Sequence, residues 1–136
     1  EKQPAFDFLK KIRTLASKKN IVLIFDECSS GFRQTYGGIH KIFNVEPDLA
    51  MFGKTLGNGY GISAVMGKRE VMETAQNSFI SSSYWTERTG YVAALETLNQ
   101  FERKDVISHL LDIGNYFREK SNCFKYPPLF IFKLFQ

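Results

Sequence analysis

The run Ile21-Val22-Leu23-Ile24-Phe25 is apolar at every position and ends in two carboxylates, Asp26 and Glu27. A strand with one wet face alternates apolar and polar residues. An unbroken β-branched and aromatic run fits instead a strand buried on both faces, the habit of parallel sheets covered by helices. Ahead of it, residues 4–19 carry Phe8, Ile12, Leu15 and Ala16 at helical spacing, with lysines on the opposite side. Pro4 suits the first turn of such a helix and Asn20 its stop. A helix leading into a doubly covered strand points to an α/β layer arrangement.

The rest of the chain keeps that alternation. Gly31, Gly37, Gly38 and Pro47 punctuate residues 28–47, which read as loop with one short helix at 39–44. Residues 48–53 form a second short apolar run, closed by Lys54, and the turn Gly57-Asn58-Gly59-Tyr60-Gly61 follows. Residues 62–67 read as a third strand and 69–76 as a helix. Residues 78–84 are expected as a strand passing into a loop. A helix over 89–101 has Val92, Leu95 and Leu98 along one face. Another over 105–120 has Asp105 as N-cap and a stripe of Val106, Leu110, Ile113 and Phe117. No internal repeat or low-complexity segment interrupts the pattern.

With 136 residues, 43% hydrophobic and 24% charged, the chain can build one core but not two. Its 13 Phe and 6 Tyr argue against disorder. The net charge is +4, yet the densest basic cluster, Lys10, Lys11, Arg13, Lys18 and Lys19, lies on the polar side of the first helix. A solvated helix face explains it, so no nucleic-acid partner is read. Cys28 and Cys123 fit neither a disulfide framework nor a zinc spacing, and they suggest a reducing compartment. His40 and His109 stand isolated and read as structural, Glu102 and Asp105 as helix-end residues, and no metal site is expected. No run is apolar and long enough to span a bilayer, and no signal peptide opens the chain. The expectation is a soluble cytoplasmic protein. A start at Glu1 and an uncovered apolar run over 127–135 predict a fragment of a longer chain, or a reading frame cut or shifted at its end.

Two residues carry the chemistry. Asp26 closes a buried strand, and strand carboxyl ends are where open α/β sheets bind ligands. An unpaired carboxylate is costly to bury, so it serves either a ligand or the capping of the following loop. Lys54 ends the second apolar run just before glycine-rich chain. Burial there would favour the neutral amine, which is what attack on a carbonyl needs; the alternative is a surface lysine at a strand terminus. Gly57, Gly59 and Gly61 alone could equally make a hairpin turn.

Together the motifs are more specific. Leu23-Ile24-Phe25-Asp26-Glu27-Cys28-Ser29-Ser30-Gly31-Phe32-Arg33 resembles the segment L-I-F-D-E-V-x-T/S-G-F-R, and Pro47 to Gly59 resembles P-D-[apolar]-x-x-[small]-x-K-x-[apolar]-G-x-G. Ile62-Ser63-Ala64-Val65-Met66-Gly67 resembles I-[GS]-A-[VF]-x-G. In order and spacing these resemble the class-III pyridoxal-phosphate (PLP) dependent aminotransferases, and Gly31-Phe32-Arg33 leans toward the glutamate-1-semialdehyde aminomutase-like branch. The resemblance runs over residues 5–120.

The resemblance implies an α/β chain, part of the large domain of an aspartate-aminotransferase-like fold, with a parallel-rich sheet flanked by helices. Residues 1–104 would be the second half of that domain, and 105–136 a linker helix and truncated start of the C-terminal region. It implies transamination or an internal amino shift on a small amino donor and acceptor. Lys54 would carry PLP as a Schiff base and shuttle a proton at Cα. Asp26 would keep the pyridine nitrogen protonated. Cys28 stands where Val usually packs on the cofactor ring. Ser29 stands where many members place a Gln on the ring hydroxyl, an interaction that this chain drops or replaces. Ser83, with Thr86 second, falls where a hydroxyl reaches the PLP phosphate of the neighbouring subunit in a homodimer. Trp85 and Arg88 would line the substrate entrance. The phosphate-cradling loop, the second ring-stacking aromatic and the small C-terminal domain of the family fall outside this sequence, so the chain alone is expected to bind PLP poorly. Two other readings compete: a truncated or degenerate relative without turnover, and a doubly wound nucleotide-binding domain. Asp26-Glu27-Cys28 opposes the latter, standing where a phosphate loop would follow the first strand.

Overall fold

A computed structural model describes residues 6–121 of the chain. Its first helix, α1 (Phe6–Lys18), ends where expected. Asn20 takes left-handed backbone at φ 54°. Ile21 N–H then reaches back to Ala16 O at 2.8 Å and Asn20 N–H to Ser17 O at 3.3 Å, the paired bonds that close a helix on such a residue. The buried stripe differs from the expected one: Leu9, Ile12, Arg13 and Ala16 turn inward, while Phe8 and Leu15 stay exposed.

Strand β1 (Ile24–Asp26) pairs in parallel with β2 (Leu49–Phe52), and β2 pairs antiparallel with β3 (Ala64–Gly67), giving the order β1-β2-β3. The sheet is thus mixed, with one parallel pair. The crossover from β1 to β2 is residues 27–48, whose only helical turn among the described residues is a 3-10 turn over Ile39–Phe43. β1 is an edge strand in this chain. That is why Ile24 is 50% exposed despite the apolar run that promised burial on both faces.

The core lies on the face of β2 that carries Ala50 and Phe52, joined by Phe32, Leu56 and Ala94, with Ile62, Ala64, Leu98 and Phe101 packed around them. Phe32 centres it, its ring 5.6 Å from that of Phe52 and 5.7 Å from that of Phe101. After β3 come one α-helical turn, α2 (Arg69–Met72), and a 3-10 turn over Glu73–Asn77, where a single helix was expected. Residues 78–84 form no strand; after a bend at 78 they lead into a turn over 83–86.

Helix α3 (Arg88–Arg103) packs on the core through Gly90, Ala94, Leu98 and Phe101; of the expected Val92–Leu95–Leu98 stripe only Leu98 faces inward. Val92 is 65% exposed. Close approach decides the matter: a Cβ on Gly90 would stand 2.6 Å from Gly61 O and 3.2 Å from Ile62 Cβ. Small residues let the helix settle there. Helix α4 (Val106–Ser121) is capped by Asp105, whose Oδ1 accepts from Ser108 N–H at 3.2 Å. Its Leu110, Ile113 and Phe117 remain exposed on this chain.

Candidate active site

The parallel register sets Asp26 beside Met51, so the carboxyl ends of β1 and β2 open at the same edge of the sheet. Asp26 is the last residue of β1; Gly53 and Lys54 follow β2 directly. Lys54 occupies left-handed backbone at φ 44°, a conformation that costs a side-chain-bearing residue about 1 kcal/mol or more. The turn holds it there: Leu56 N–H bonds Gly53 O at 2.9 Å, and Gly57 and Asn58 N–H bond Lys54 O at 3.1 and 3.0 Å. The backbone thereby aims the lysine back toward the end of β1, where Nζ donates to Ser29 Oγ.

Asp26 Oδ1 accepts from Cys28 N–H at 3.0 Å. That bond is the main reason its carboxyl lies below the usual aspartate value; the Cys28 thiol and the positive charge of Lys54 act the same way, and slight burial acts against them. Asp26 is therefore an exposed, ionised carboxylate at neutral pH. The half-buried Cys28 thiol is pushed up, first by burial and then by Asp26, so it behaves as a neutral packing group. A Cβ on Gly53 would lie 3.5 Å from Cys28 Sγ, which puts the thiol between the two strand ends. Asp26, Cys28, Ser29 and Lys54 thus gather at one mouth.

Ser83 and Thr86 stand apart from this cluster, both exposed in the turn that precedes α3. That turn neighbours the glycine-rich segment through Tyr84, whose ring lies 3.9 Å from a Cβ built on Gly61. The cap of α3 is Glu87, which accepts from Thr89 N–H at 2.8 Å, and not a hydroxyl. Lys54 is exposed, which differs from the burial expected of it. The described residues give it position and an electrostatic partner, whereas desolvation would require further covering groups.

Sequence reasoning overlooked Glu27. It is 2% exposed, and its carboxylate takes hydrogen bonds from Ser30 Oγ, from Ile39 and His40 N–H (3.1 Å each) and from His40 Nδ1 at 2.8 Å. Burial pushes this carboxyl up, but the bonds from Ser30, His40 and Ile39 outweigh it and hold the group below its ordinary value. His40 is accordingly a buried partner of Glu27, not the isolated loop residue expected, and its Nε2 faces Glu46 at 3.8 Å. Alternation was the available signal: adjacent strand residues face opposite ways, so Asp26 and Glu27 cannot both look into the mouth.

The chain is similar to known proteins. The class-III aminotransferase family matches residues 2–127. A 3-aminobutyryl-CoA aminotransferase of Cloacimonas acidaminovorans is 41% identical over 115 residues, covering 84% of this chain and 28% of that protein. A glutamate-1-semialdehyde 2,1-aminomutase of Geotalea daltonii is 34% identical over 116 residues, covering 83% of this chain and 27% of its own length. Among solved structures, the FumI protein of Sphingopyxis sp. MTA144 in its PLP internal aldimine form superposes with a TM-score of 0.82 at 27% identity, covering 87% of this chain and 28% of that one. The chain spans little more than a quarter of the length of these relatives. The matched region takes in both strand ends, the Asp26–Ser30 turn and Lys54, and on that match the chain belongs to the class-III aminotransferase family.

Proposed function

We propose that this chain is part of the large domain of a PLP-dependent enzyme that moves an amino group on a small amino compound, by transamination or by an internal amino shift. The observation that carries the reading is the placing of an ionised Asp26 and the Lys54 amine at the carboxyl ends of two hydrogen-bonded parallel strands. An exposed carboxylate, a lysine amine and a neutral thiol between them fit a flat pyridine aldehyde: one group for the ring nitrogen, one for the aldehyde carbon, one for the ring face.

Bound PLP supplies an electron sink for charge developing at the substrate Cα. Asp26 holds a proton at the pyridine nitrogen, which a carboxylate below its ordinary pKa does at neutral pH. Lys54 Nζ would hold the cofactor at its aldehyde carbon and, as a free amine, would move the proton at the substrate Cα. Ser29 Oγ, already bonded to Nζ, orients that amine. Cys28 packs against the ring. Ser83, with Thr86 second, is assigned to the cofactor phosphate across a homodimer interface, residues 105–136 to the link toward a C-terminal region, and the cytoplasm to the protein's location.

Borohydride reduction in the presence of PLP, followed by peptide mass spectrometry, tests the central assignment. The pyridoxyl mass is expected at Lys54 in preference to Lys10, Lys11 and Lys68, with the preference lost in Asp26→Asn. Labelling spread evenly over the lysines would overturn the reading and favour a relative without turnover. Because Lys54 is exposed here, affinity of the 136-residue chain for PLP is expected to be low even where the selectivity holds.

A further inference from the structure

We propose that Glu27, seated on His40, is the positioning residue that sets both Asp26 and Lys54, acting through the Asp26–Ser30 turn. The inference rests on the assignment of Asp26 and Lys54 above, but its geometry stands alone. Cys28, Ser29 and Ser30 of that short turn each make one contact. Cys28 N–H holds Asp26 at 3.0 Å, Ser29 Oγ receives Lys54 Nζ, and Ser30 Oγ donates to Glu27. Gly31 N–H adds a bond to Glu27 O at 2.8 Å, and Glu27 N–H bonds Met51 O at 2.8 Å, fastening the turn to β2. The two contacts that orient the reacting groups therefore come from residues whose own place is fixed by Glu27.

The seat of Glu27 is built for an ionised carboxylate. Every polar group facing it is a donor: one hydroxyl, two backbone N–H groups at the start of the 3-10 turn over Ile39–Phe43, and His40 Nδ1. Gly38 admits the pair, since a Cβ there would stand 2.9 Å from Glu27 Oε1 and 2.3 Å from the His40 ring. Because each carboxylate oxygen accepts from a backbone N–H, an amide in its place would turn an NH2 group against one of them, and the loss would fall on the turn. The histidine matters through one atom: asparagine places a donor where Nδ1 sits, whereas glutamine extends past it.

The test uses the unloaded chain as well as PLP. In 13C-detected NMR titration, Glu27→Gln is expected to let the Asp26 midpoint rise toward the ordinary aspartate value of about 3.9, because Cys28 N–H no longer holds the carboxylate. His40→Gln is expected to move it the same way, and His40→Asn to restore it. Ser30→Ala, a milder change, gives a smaller rise and serves if Glu27→Gln fails to fold. In PLP trapping, the preference for Lys54 should fall with Glu27→Gln and His40→Gln, and recover with His40→Asn. Variants that lower Tm while the Asp26 midpoint and the Lys54 preference stay unchanged would overturn the proposal, leaving Glu27 a stabilising residue only. Failure of the parent reading looks different: Asp26→Asn would then leave the Lys54 preference intact, while the Asp26 midpoint still answered to Glu27.

Discussion

Asp48 shows how one side chain can hold several segments of a chain. Its carboxylate accepts from Leu23 N–H at 2.7 Å, from Arg13 of α1 at 2.8 Å and from Lys68 beyond β3 at 2.7 Å. The Leu23 N–H is the largest of the influences that hold this carboxyl well below the usual range, followed by Lys68 and Arg13; burial opposes them. In the unfolded chain the group titrates near 3.9. The folded state thus binds the proton less readily, so Asp48 contributes its full stability above about pH 4 and loses it as pH falls toward the folded value. Asp48→Asn is expected to cost about 1–3 kcal/mol at pH 7, since the amide keeps one acceptor oxygen but offers Arg13 and Lys68 no charge. The gap from the unsubstituted chain should close on acidification below about pH 4. Urea unfolding at a series of pH values measures both; a gap independent of pH would contradict the account.

At the scale of elements, the residues that stop and start chain segments were legible. Asn20 ends α1 in the left-handed region, and Asp105 caps α4, because each acts locally through its own backbone. The placing of Asp26 and Lys54 at strand ends was legible too, since an apolar run leads into each. Packing faces were not. On α3, Val92 and Leu95 outweigh Gly90 and Ala94 in hydrophobicity, yet the smaller residues face the core because the backbone of Gly61 comes so near. Periodicity reads apolar character, and here the contact needs smallness. Glu27 escaped for a related reason: beside Asp26 it looked like part of the same acidic mouth, and its burial depends on His40 and Ile39, which the loop brings back. The α3 contact has a direct check. Gly90→Ala is expected to destabilise by about 1–3 kcal/mol, since the nearest atom is a backbone oxygen that cannot swing aside. Gly114→Ala on α4, where nothing lies within 4 Å, is expected to stabilise by about 0.5–1 kcal/mol through helix propensity. Thermal melts of the two variants should move in opposite directions.

Over the whole molecule, large apolar side chains stay in water. Ile21 and Val22 precede the edge strand and Ile24 opens it, and Val92, Leu95 and Ile113 lie on the outer sides of α3 and α4. Scattered apolar residues are ordinary, but contiguous faces of this kind mark surfaces that associate. No helix among the described residues is long and apolar enough to cross a membrane, so these faces are not spans. The chain is expected to bind a hydrophobic dye and to sediment with an average mass that grows with concentration. Replacing Val92 and Leu95 together by Lys should lessen that growth while changing stability by no more than about 0.5 kcal/mol per site, as for other exposed positions. Unchanged association would move the responsible surface away from α3.

The two buried carboxylates sit at opposite ends of the same strand pair. Asp48 fastens β1 to β2 where the strands enter the sheet, and Glu27 fastens them where they leave it, through its N–H on Met51 O. Were β1 to pair one residue out of frame, its side chains would all change sides, sending Asp26 toward His40 and Glu27 into the mouth. Glu27 would then leave its donors, and Asp48 would lose Leu23 N–H. The fold therefore carries its own proofreading: a mispaired strand empties the Glu27 seat and strips Asp48 of its backbone donor, so the frame that brings Asp26 and Lys54 to one edge is also the one that answers both buried charges.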